Sequence, residues 1–300
     1  MTRTLPRASY RPPADPAAVT EPVPGARRRW LRIVVLVLGA LAFIFPFYYM
    51  LVGSLQKKSD TSLGGAIPRP GNLSLHNYGQ INAAINLGQT LLNSIIFTAG
   101  VVLGTVVFGI LVGYALAQLH YRGRGTLFAV MVLVQVVPFQ LLIIPLYVQI
   151  VRSYGLADSY LGMILPFAIN STAVFVFRQY FLQVPVELFD AARIDGASEL
   201  RILRSVALPL VRPALLTAIL MTFIGPWNEF LWPFLVTKQH DKQPLAVALA
   251  NYISTTAASA ANPYGAILAG ACVLAAPAVA LFIAFQRHFR STDLGSGVKG

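Results

Sequence analysis

Six long apolar runs constrain this 300-residue chain more than any other feature of its sequence. A helix needs about 20 mainly apolar residues to cross the hydrocarbon core of a bilayer. The runs that reach this length are residues 32–54, 90–118, 126–151, 159–180, 213–236 and 263–286. Each run is continuously apolar instead of alternating, which excludes a closed membrane barrel. The sequence therefore predicts an all-α membrane protein with six transmembrane helices.

The composition agrees with a chain dissolved mostly in lipid. Charged residues make up 11% of the chain, whereas soluble domains carry about 25%. The first run follows three consecutive arginines and is too long for a signal-peptide core, so we interpret it as a membrane span. The single cysteine, Cys272, excludes an intrachain disulfide.

The distribution of basic residues predicts the orientation in the membrane. With a cytoplasmic amino terminus, 17 of the 23 Lys and Arg residues fall on cytoplasmic segments and only 6 fall outside. Membrane proteins concentrate Lys and Arg in this way on the cytoplasmic side. We therefore expect a multi-pass protein of the plasma membrane with both termini cytoplasmic. The net charge of +12 is then topological, so we expect contact with lipid and no nucleic-acid partner.

Composition also predicts the domain boundaries. Residues 1–29 are rich in Pro, Ala and Arg, and such a segment buries too little apolar surface to order itself, so we expect a disordered cytoplasmic tail. Residues 30–290 are expected to form the transmembrane domain. Residues 291–300 remain as a cytoplasmic carboxyl-terminal tail.

The longest cytoplasmic loop, residues 185–209, predicts a hairpin of two short helices. Pro185 suits the first turn of a helix, where its missing N–H costs nothing. Gly196 is expected to end that helix in a left-handed conformation. Ser198 can cap the second helix, which Pro209 and Pro213 are expected to break before the fifth span.

Apolar and acidic side chains are interleaved along this hairpin. Spacing predicts two apolar stripes, which comprise Leu188, Ala191 and Ala192 in the first helix and Leu200, Leu203 and Val206 in the second. The acidic residues are Glu187, Asp190, Asp195 and Glu199. Anionic lipid would not favour such an acidic surface. A protein partner is therefore favoured over a hairpin that rests on the bilayer.

The same segment resembles the EAA loop of ABC importer permeases. The family pattern is E-A-A, three residues, G, nine residues and I-x-L-P. The sequence has Asp190-Ala191-Ala192, then Gly196, then Val206-Ala207-Leu208-Pro209 at the matching spacing. Asp190 replaces Glu and Val206 replaces Ile, and both changes keep charge or shape. In that family the loop is the coupling helix that docks into a groove on a cytoplasmic ATPase.

From Trp30 to Gly300 the chain resembles the smaller, six-span subunit of the maltose-type carbohydrate permeases. The resemblance rests on stretches such as R-I-D-G-A at 193–197 and W-N-E-F-L-W-P at 227–233. It implies a type I ABC importer transmembrane domain that pairs with a second permease as a heterodimer. It also implies two copies of an ATP-binding subunit and an extracytoplasmic solute-binding protein. The implied substrate is a sugar, an oligosaccharide or a disaccharide, and the alternative is glycerol-phosphate or another polar solute.

The chain lacks the motifs of an enzyme. No G-x-x-x-x-G-K-[ST] motif is present, and that motif cradles ATP phosphates in P-loop proteins. We therefore expect no cofactor in this chain and ATP bound by the partner ATPase. The four histidines are scattered over different loops, without the spacing of metal ligands. An intramembrane enzyme that uses Glu229 is a rival interpretation, but it would lack a second catalytic group.

Polar residues inside the apolar runs are candidates for a translocation path, because lipid-facing polar groups are costly. The candidates are Gln135, Asn170, Asn228 and Glu229. Hydrogen bonds between helices are the alternative for the amides, and a packing role is the alternative for Glu229. Prolines that interrupt several runs are expected to act either as hinges or as static bends. The outer segment 237–262 corresponds, by the resemblance, to the loop that reaches toward the binding protein.

Overall fold

The computed structural model describes residues 26–259 and 262–293, and no β-strand occurs among them. Short 3₁₀ and π segments join or extend the α-helices. The helices are α1 Ala26–Ser54, α2 His76–Ile85, α3 Leu87–Gln118, α4 Arg124–Val134, α5 Phe139–Tyr147, α6 Tyr160–Ile164, α7 Ser171–Leu182, α8 Val186–Ile194, α9 Glu199–Ile202, α10 Leu208–Leu210, α11 Arg212–Asn228, α12 Leu231–Val236, α13 Leu245–Asn251 and α14 Pro263–Asp293.

All six predicted runs are helical, but only three of them form unbroken spans. These are Trp30–Ser54 in α1, the whole of α3, and Pro263–Gln286 in α14. The third run bends by 96° between α4 and α5, and the fourth bends by 51° between the α6 segment and α7. A third bent pair contains α11, and up to six spans result when each bent pair crosses the membrane as one unit.

The fifth run is divided differently from the prediction. The predicted span 213–236 is split into α11 and α12, with Glu229 and Phe230 between them. The 17 residues of α11 rise about 25 Å at 1.5 Å per residue, which is shorter than a hydrocarbon core of about 30 Å. The six residues of α12 are therefore needed to complete the crossing. A bend of 81° also separates α11 from the helical segment Glu199–Leu210.

The helix ends extend beyond two of the predicted domain boundaries. Helix α1 begins at Ala26, within the predicted tail 1–29, and α14 continues to Asp293, beyond residue 290. Residues 1–25 and 294–300, which hold the remainder of the two predicted tails, lie outside the described residues. The described chain divides into two units, of which the first ends at Tyr48 and the second begins at Tyr49.

Helix α3 is the centre of the second unit and packs along α7 and α11. Glycines on α3 permit this close approach: a Cβ atom built at Gly113 would lie 2.8 Å from Cβ of Phe177 and 3.1 Å from the backbone nitrogen of Arg178. Small residues serve this purpose at helix contacts in membranes, where backbones must come close to gain dispersion energy. Helix α3 thereby connects the hairpin at one end of the bundle with α13 at the other.

Candidate functional site

The hairpin begins with α8, which ends in the turn that Gly196 was predicted to make. Gly196 has φ +77°. The N–H of Gly196 donates to the carbonyl of Arg193 at 3.0 Å, and the N–H of Ala197 donates to the carbonyl of Ala192 at 3.0 Å. These two bonds form a Schellman motif, which satisfies carbonyls left free at a helix end. The predicted left-handed helix end is confirmed.

The second arm of the hairpin is one helical segment from Glu199 to Leu210, because a π segment joins α9 to α10. Ser198 occupies the N-cap position, as predicted, but its side chain makes no capping hydrogen bond. Pro209 lies in the last turn instead of breaking the helix at its own position. The break comes at Val211, after which Pro213 opens α11.

An ion-pair network holds the two arms together and ties them to α3. Arg193 pairs with Asp190 at 3.0 Å and with Glu199 at 2.9 Å. The hydroxyl of Tyr114, in α3, donates to the other carboxylate oxygen of Glu199 at 2.6 Å. The hydrogen bond from Arg193 lowers the pKa of Glu199 below its usual value, and the bond from Tyr114 acts in the same direction. Of the predicted docking carboxylates, Asp190 is therefore engaged within the hairpin.

Phe189 anchors the first arm, and the sequence prediction missed it. Its side chain is fully buried, with the ring 6.2 Å from that of Tyr114 and packed in the same cluster as Ile202. Phe189 lies between two exposed residues, Leu188 and Asp190. The spacing of Phe189 and Ala192, three residues apart on one side of the helix, was the sequence pattern that could have predicted which face packs inward.

The predicted apolar stripes are corrected by this packing. In the first arm Leu188 and Ala191 are exposed, whereas Ala192 packs against the core of the chain itself. In the second arm Leu200 is 69% exposed, whereas Leu203 is buried and Val206 packs against the core, as predicted; Ile202 and Ala207 are buried as well. Leu208 packs against the same cluster. Leu200 and Ile202 lie in the same short helix α9, and the inward face of this helix includes Ile202 and not Leu200.

The outward face of the hairpin carries both apolar and acidic side chains. Ile194 is 86% exposed, although the prediction did not include it. Other apolar residues of the hairpin that are exposed include Val186, Leu188 and Leu200. The side chains of Glu187 and Asp195 are exposed and make no hydrogen bond or ion pair to other residues of the described chain. Exposed apolar side chains next to unpaired carboxylates are more typical of a protein contact surface than of a solvated loop.

The four polar candidates for the translocation path all lie where a span is interrupted. Asn170 caps α7, since its side-chain oxygen accepts from the N–H of Ala173 at 3.1 Å. The carboxylate of Glu229 accepts from the N–H of Trp232 at 3.2 Å, at the start of α12. Both residues therefore satisfy backbone N–H groups that a broken helix leaves free.

The other two candidates bond near the same interruptions. Gln135, at the end of α4, accepts from the hydroxyl of Thr172 at 2.8 Å and so links the breaks of the third and fourth spans. The amide of Asn228 donates to the carbonyl of Ile224 at 2.9 Å. The side chains of Gln135 and Asn228 are exposed, and those of Asn170 and Glu229 are half-buried.

The three interruptions meet at an aromatic cluster. Phe139 opens α5, Phe167 precedes the break before α7, and Trp232 lies in α12. The ring of Phe139 lies 4.9 Å from that of Phe167 and 6.2 Å from that of Trp232. The indole N–H of Trp232 donates to the carbonyl of Gly162 at 3.2 Å. The broken ends therefore pack against one another, although they are far apart in the sequence.

The outer segment 237–262 is mostly ordered helix where the structure describes it, not an open loop. Helix α13 continues as a π segment to Thr256, and Leu245, Val247 and Leu249 are buried. The segment packs against α3 and α14. Residues 260–261 of this segment lie outside the described residues, and its contact with a binding protein stays a prediction.

Comparison with known proteins identifies the family. Residues 105–292 match the model of the binding-protein-dependent transport system inner membrane component. The arabinooligosaccharides transport system permease protein AraQ of Halalkalibacterium halodurans is 34% identical over 274 residues, which cover 90% of this chain and 96% of that protein. The sn-glycerol-3-phosphate transport system permease protein UgpE of Agrobacterium fabrum is 30% identical and covers 85% and 92%.

A solved structure supports the fold. One chain of a bacterial ABC transporter involved in the import of the acidic polysaccharide alginate superimposes with a TM-score of 0.77. The match covers 88% of this chain and 96% of that chain, at 24% sequence identity. The likeness therefore supports the architecture of an ABC importer permease. With its hairpin, its membrane-spanning helices and these matches, the chain belongs to the family of inner-membrane components of binding-protein-dependent transport systems.

Proposed function

We propose that this chain is one of two different permease subunits of an ATP-driven sugar importer. Its partners would be a second permease, two copies of an ATP-binding subunit and an extracytoplasmic solute-binding protein. The substrate would be an oligosaccharide or a disaccharide. The 34% identity to an arabinooligosaccharide permease over 90% of this chain supports the sugar class. Glycerol-phosphate is the second candidate, because a permease for that solute is 30% identical.

The hairpin is the proposed docking site for the ATP-binding subunit. Its inner face is fixed by Phe189 and by the Arg193 ion pairs, so its outer face is available to a partner. On that face Ile194 and Leu188 would enter a groove, flanked by the carboxylates of Glu187 and Asp195. Closure of the ATP-binding subunits would move the hairpin, and the Tyr114–Glu199 bond would carry this movement to α3.

The broken spans are the proposed translocation path. Gln135 and Asn228 expose amide groups beside interruptions, where sugar hydroxyls could bond to them. Asn170 and Glu229 would shape the path by holding the adjoining helix ends. The excess of Lys and Arg on the hairpin side supports cytoplasmic termini, with solute entering from the α13 end.

Uptake assays test the substrate class. The chain is co-expressed with its proposed partners, which are a second permease, an ATP-binding subunit and a solute-binding protein of the same organism. Membrane vesicles holding ATP are then offered radiolabelled arabinotriose, other neutral oligosaccharides or glycerol 3-phosphate. We expect ATP-dependent uptake of a neutral oligosaccharide. Uptake of glycerol 3-phosphate alone would replace the sugar assignment, and uptake without ATP would contradict the importer class.

Substitution of Ile194 tests the docking surface. Burial of an Ile side chain is worth about 1.5–3 kcal/mol, so Ile194→Ser should weaken binding of the ATP-binding subunit by about tenfold or more. Ile67, which is 63% exposed in the loop between α1 and α2, provides the matched control as Ile67→Ser. Co-purification of the ATP-binding subunit is the measurement. An equal effect of the two changes would remove Ile194 from the contact.

A further inference from the structure

A polar cavity lies at the end of the bundle opposite the hairpin. It has a volume of about 420 Å³, within the range of about 300–1,000 Å³ that small-molecule sites occupy. Its walls are the end of α2, the first turn of α3, the turn at 240–242 and the α13 segment. Gln89 lines the cavity, and Tyr114 holds the hairpin. The two positions on α3 are separated by a rise of about 37 Å.

Hydrogen-bonding groups of both kinds line the cavity. Carboxamides come from Asn86, Gln89 and Asn251, a hydroxyl comes from Thr255, an imidazole comes from His240 and a carboxylate comes from Asp241. An apolar backing completes the wall and includes Ala84 and Tyr252. Such a mixture of donors, acceptors and apolar surface suits a polyhydroxylated ring, which presents hydroxyls at its edge and C–H groups on its face.

The charges of the lining residues determine whether the cavity favours a charged or an uncharged ligand. No Lys or Arg is among its lining residues. The nearest Lys in sequence, Lys242, places its ammonium group 5.0 Å from the ring centroid of Tyr160, which is not a lining residue. A phosphate or uronate group would meet the Asp241 carboxylate with His240 as the one basic lining residue and with no Lys or Arg to compensate it, and like charges at short range repel. The cavity therefore favours an uncharged ligand.

Buried hydrogen bonds hold the lining residues in place. The amide of Asn93 donates to the backbone carbonyls of Asp241 at 2.8 Å and Gln243 at 2.9 Å. The amide of Asn251 donates to the side-chain oxygen of Gln243 at 3.0 Å, and Gln243 is buried. The backbone of Asp241 is thus fixed, while its carboxylate makes no hydrogen bond or ion pair to the described residues. A site with fixed walls and unused acceptors loses little entropy when it binds a ligand.

We infer that this cavity binds one end of an uncharged oligosaccharide as the sugar enters the importer. The inference rests on the proposed sugar import and adds a site on this subunit, away from the broken spans. The Asp241 carboxylate and the Asn251 carboxamide would accept hydrogen bonds from sugar hydroxyls. Asn86 and Gln89 would contact the opposite edge of the ring.

Binding to the assembled importer tests the site. The two permeases and the ATP-binding subunits are placed in nanodiscs without the solute-binding protein. Saturation-transfer NMR then measures binding of arabinotriose, trigalacturonate and glycerol 3-phosphate. Ala84 is exposed on α2 and lines the cavity, so Ala84→Trp fills the space without displacing the core. Ile253→Trp is the matched control, because Ile253 is 48% exposed and does not line the cavity.

We expect the wild-type complex and Ile253→Trp to bind arabinotriose, and Ala84→Trp to bind it about tenfold more weakly or not at all. The two anionic probes should bind poorly to all three. Equal arabinotriose binding by Ala84→Trp, no binding by the wild type, or equal binding of trigalacturonate would overturn the inference. It would also be overturned if Ala84→Trp kept the sugar signal but lost capture of the solute-binding protein. Sugar uptake by the wild type separates failure of this site from failure of the proposed function.

Discussion

The hairpin and the break in the fifth span both interrupt a helix, yet they satisfy the freed backbone groups by different means. In the hairpin, Gly196 adopts φ +77° and two backbone hydrogen bonds close the turn. The charged side chains are then left for ion pairs and, in the proposed complex, for the ATP-binding subunit. At the span break, the carboxylate of Glu229 itself accepts the N–H of Trp232. A polar side chain there is part of the fold.

The difference follows from the solvent. Water can satisfy backbone groups at a surface turn, so the hairpin needs only a residue that tolerates the left-handed conformation. Inside a bilayer, each unsatisfied group costs several kcal/mol, so broken spans need capping side chains. The comparison teaches that polar residues within spans have to be tested for capping before they are assigned to substrate.

The largest expected effect is the loss of the hairpin anchor. Removal of a buried Phe side chain typically costs about 3–5 kcal/mol, so Phe189→Ala should detach the first arm from α3. Leu210→Ala is the control, because Leu210 lies in the second arm, is 51% exposed and is not part of the proposed docking surface. We expect a lower melting temperature for the purified membrane complex and increased proteolysis within residues 186–210 for Phe189→Ala alone. Equal proteolysis of the two variants would show that the hairpin is held by its ion pairs instead.

The hairpin was predictable from sequence because its determinants are local. Gly196 and the segment after Pro185 act within one or two helical turns, and the spacing of the EAA pattern spans about twenty residues. Phe189 was missed because its partner Tyr114 lies in another helix. Burial that depends on tertiary contact gives no periodic signal in an arm of nine residues.

The second effect concerns the hairpin turn. A left-handed conformation costs an L-residue about 1–2 kcal/mol, and a β-branched side chain is the least tolerant. Gly196→Val should therefore reduce sugar uptake by straining the turn. Membrane insertion should stay normal, because a Cβ atom at Gly196 meets nothing within 4 Å and the new side chain causes no clash with the rest of the fold. Asn tolerates this conformation, so Gly196→Asn should retain most uptake. Normal uptake by Gly196→Val would show that the turn does not position the second arm.

The third effect distinguishes capping from a charge requirement at Glu229. Loss of an N-cap side chain costs about 0.5–2 kcal/mol. Glu229→Ala should reduce complex stability and uptake, whereas Glu229→Gln keeps an oxygen that can accept the Trp232 N–H and should resemble the wild type. Thermal melting and uptake are measured for both variants. If Glu229→Gln lost uptake but kept stability, the negative charge would belong to the translocation path.

The span breaks were less predictable than the spans. Continuous hydropathy locates all six runs, but it does not show that the third bends by 96° and the fourth by 51°, or that the fifth is divided at Glu229 and Phe230. The convergence of Phe139, Phe167 and Trp232 is a tertiary property. Asn170 and Glu229 could have been recognised as caps, because each comes just before a helical segment with a suitable acceptor side chain.

The smallest expected effect is the pH dependence of the ion-pair network. The pKa of Glu199 is lowered, mainly by the hydrogen bond from Arg193. A carboxylate with a lowered pKa stabilises the folded state above its usual pKa of about 4.3, and this stabilisation is lost as the pH falls through the lower folded-state pKa. The side chain of Glu199 is 43% exposed, so solvent screening limits the effect to well under about 1 kcal/mol.

Between neutral pH and pH 5 the protease sensitivity of residues 186–210 should stay constant, and below pH 4 it should rise. Glu199→Gln should be more sensitive at neutral pH and show less change in acid. If Glu199→Gln showed the same rise below pH 4 as the wild type, protonation elsewhere would be loosening the hairpin.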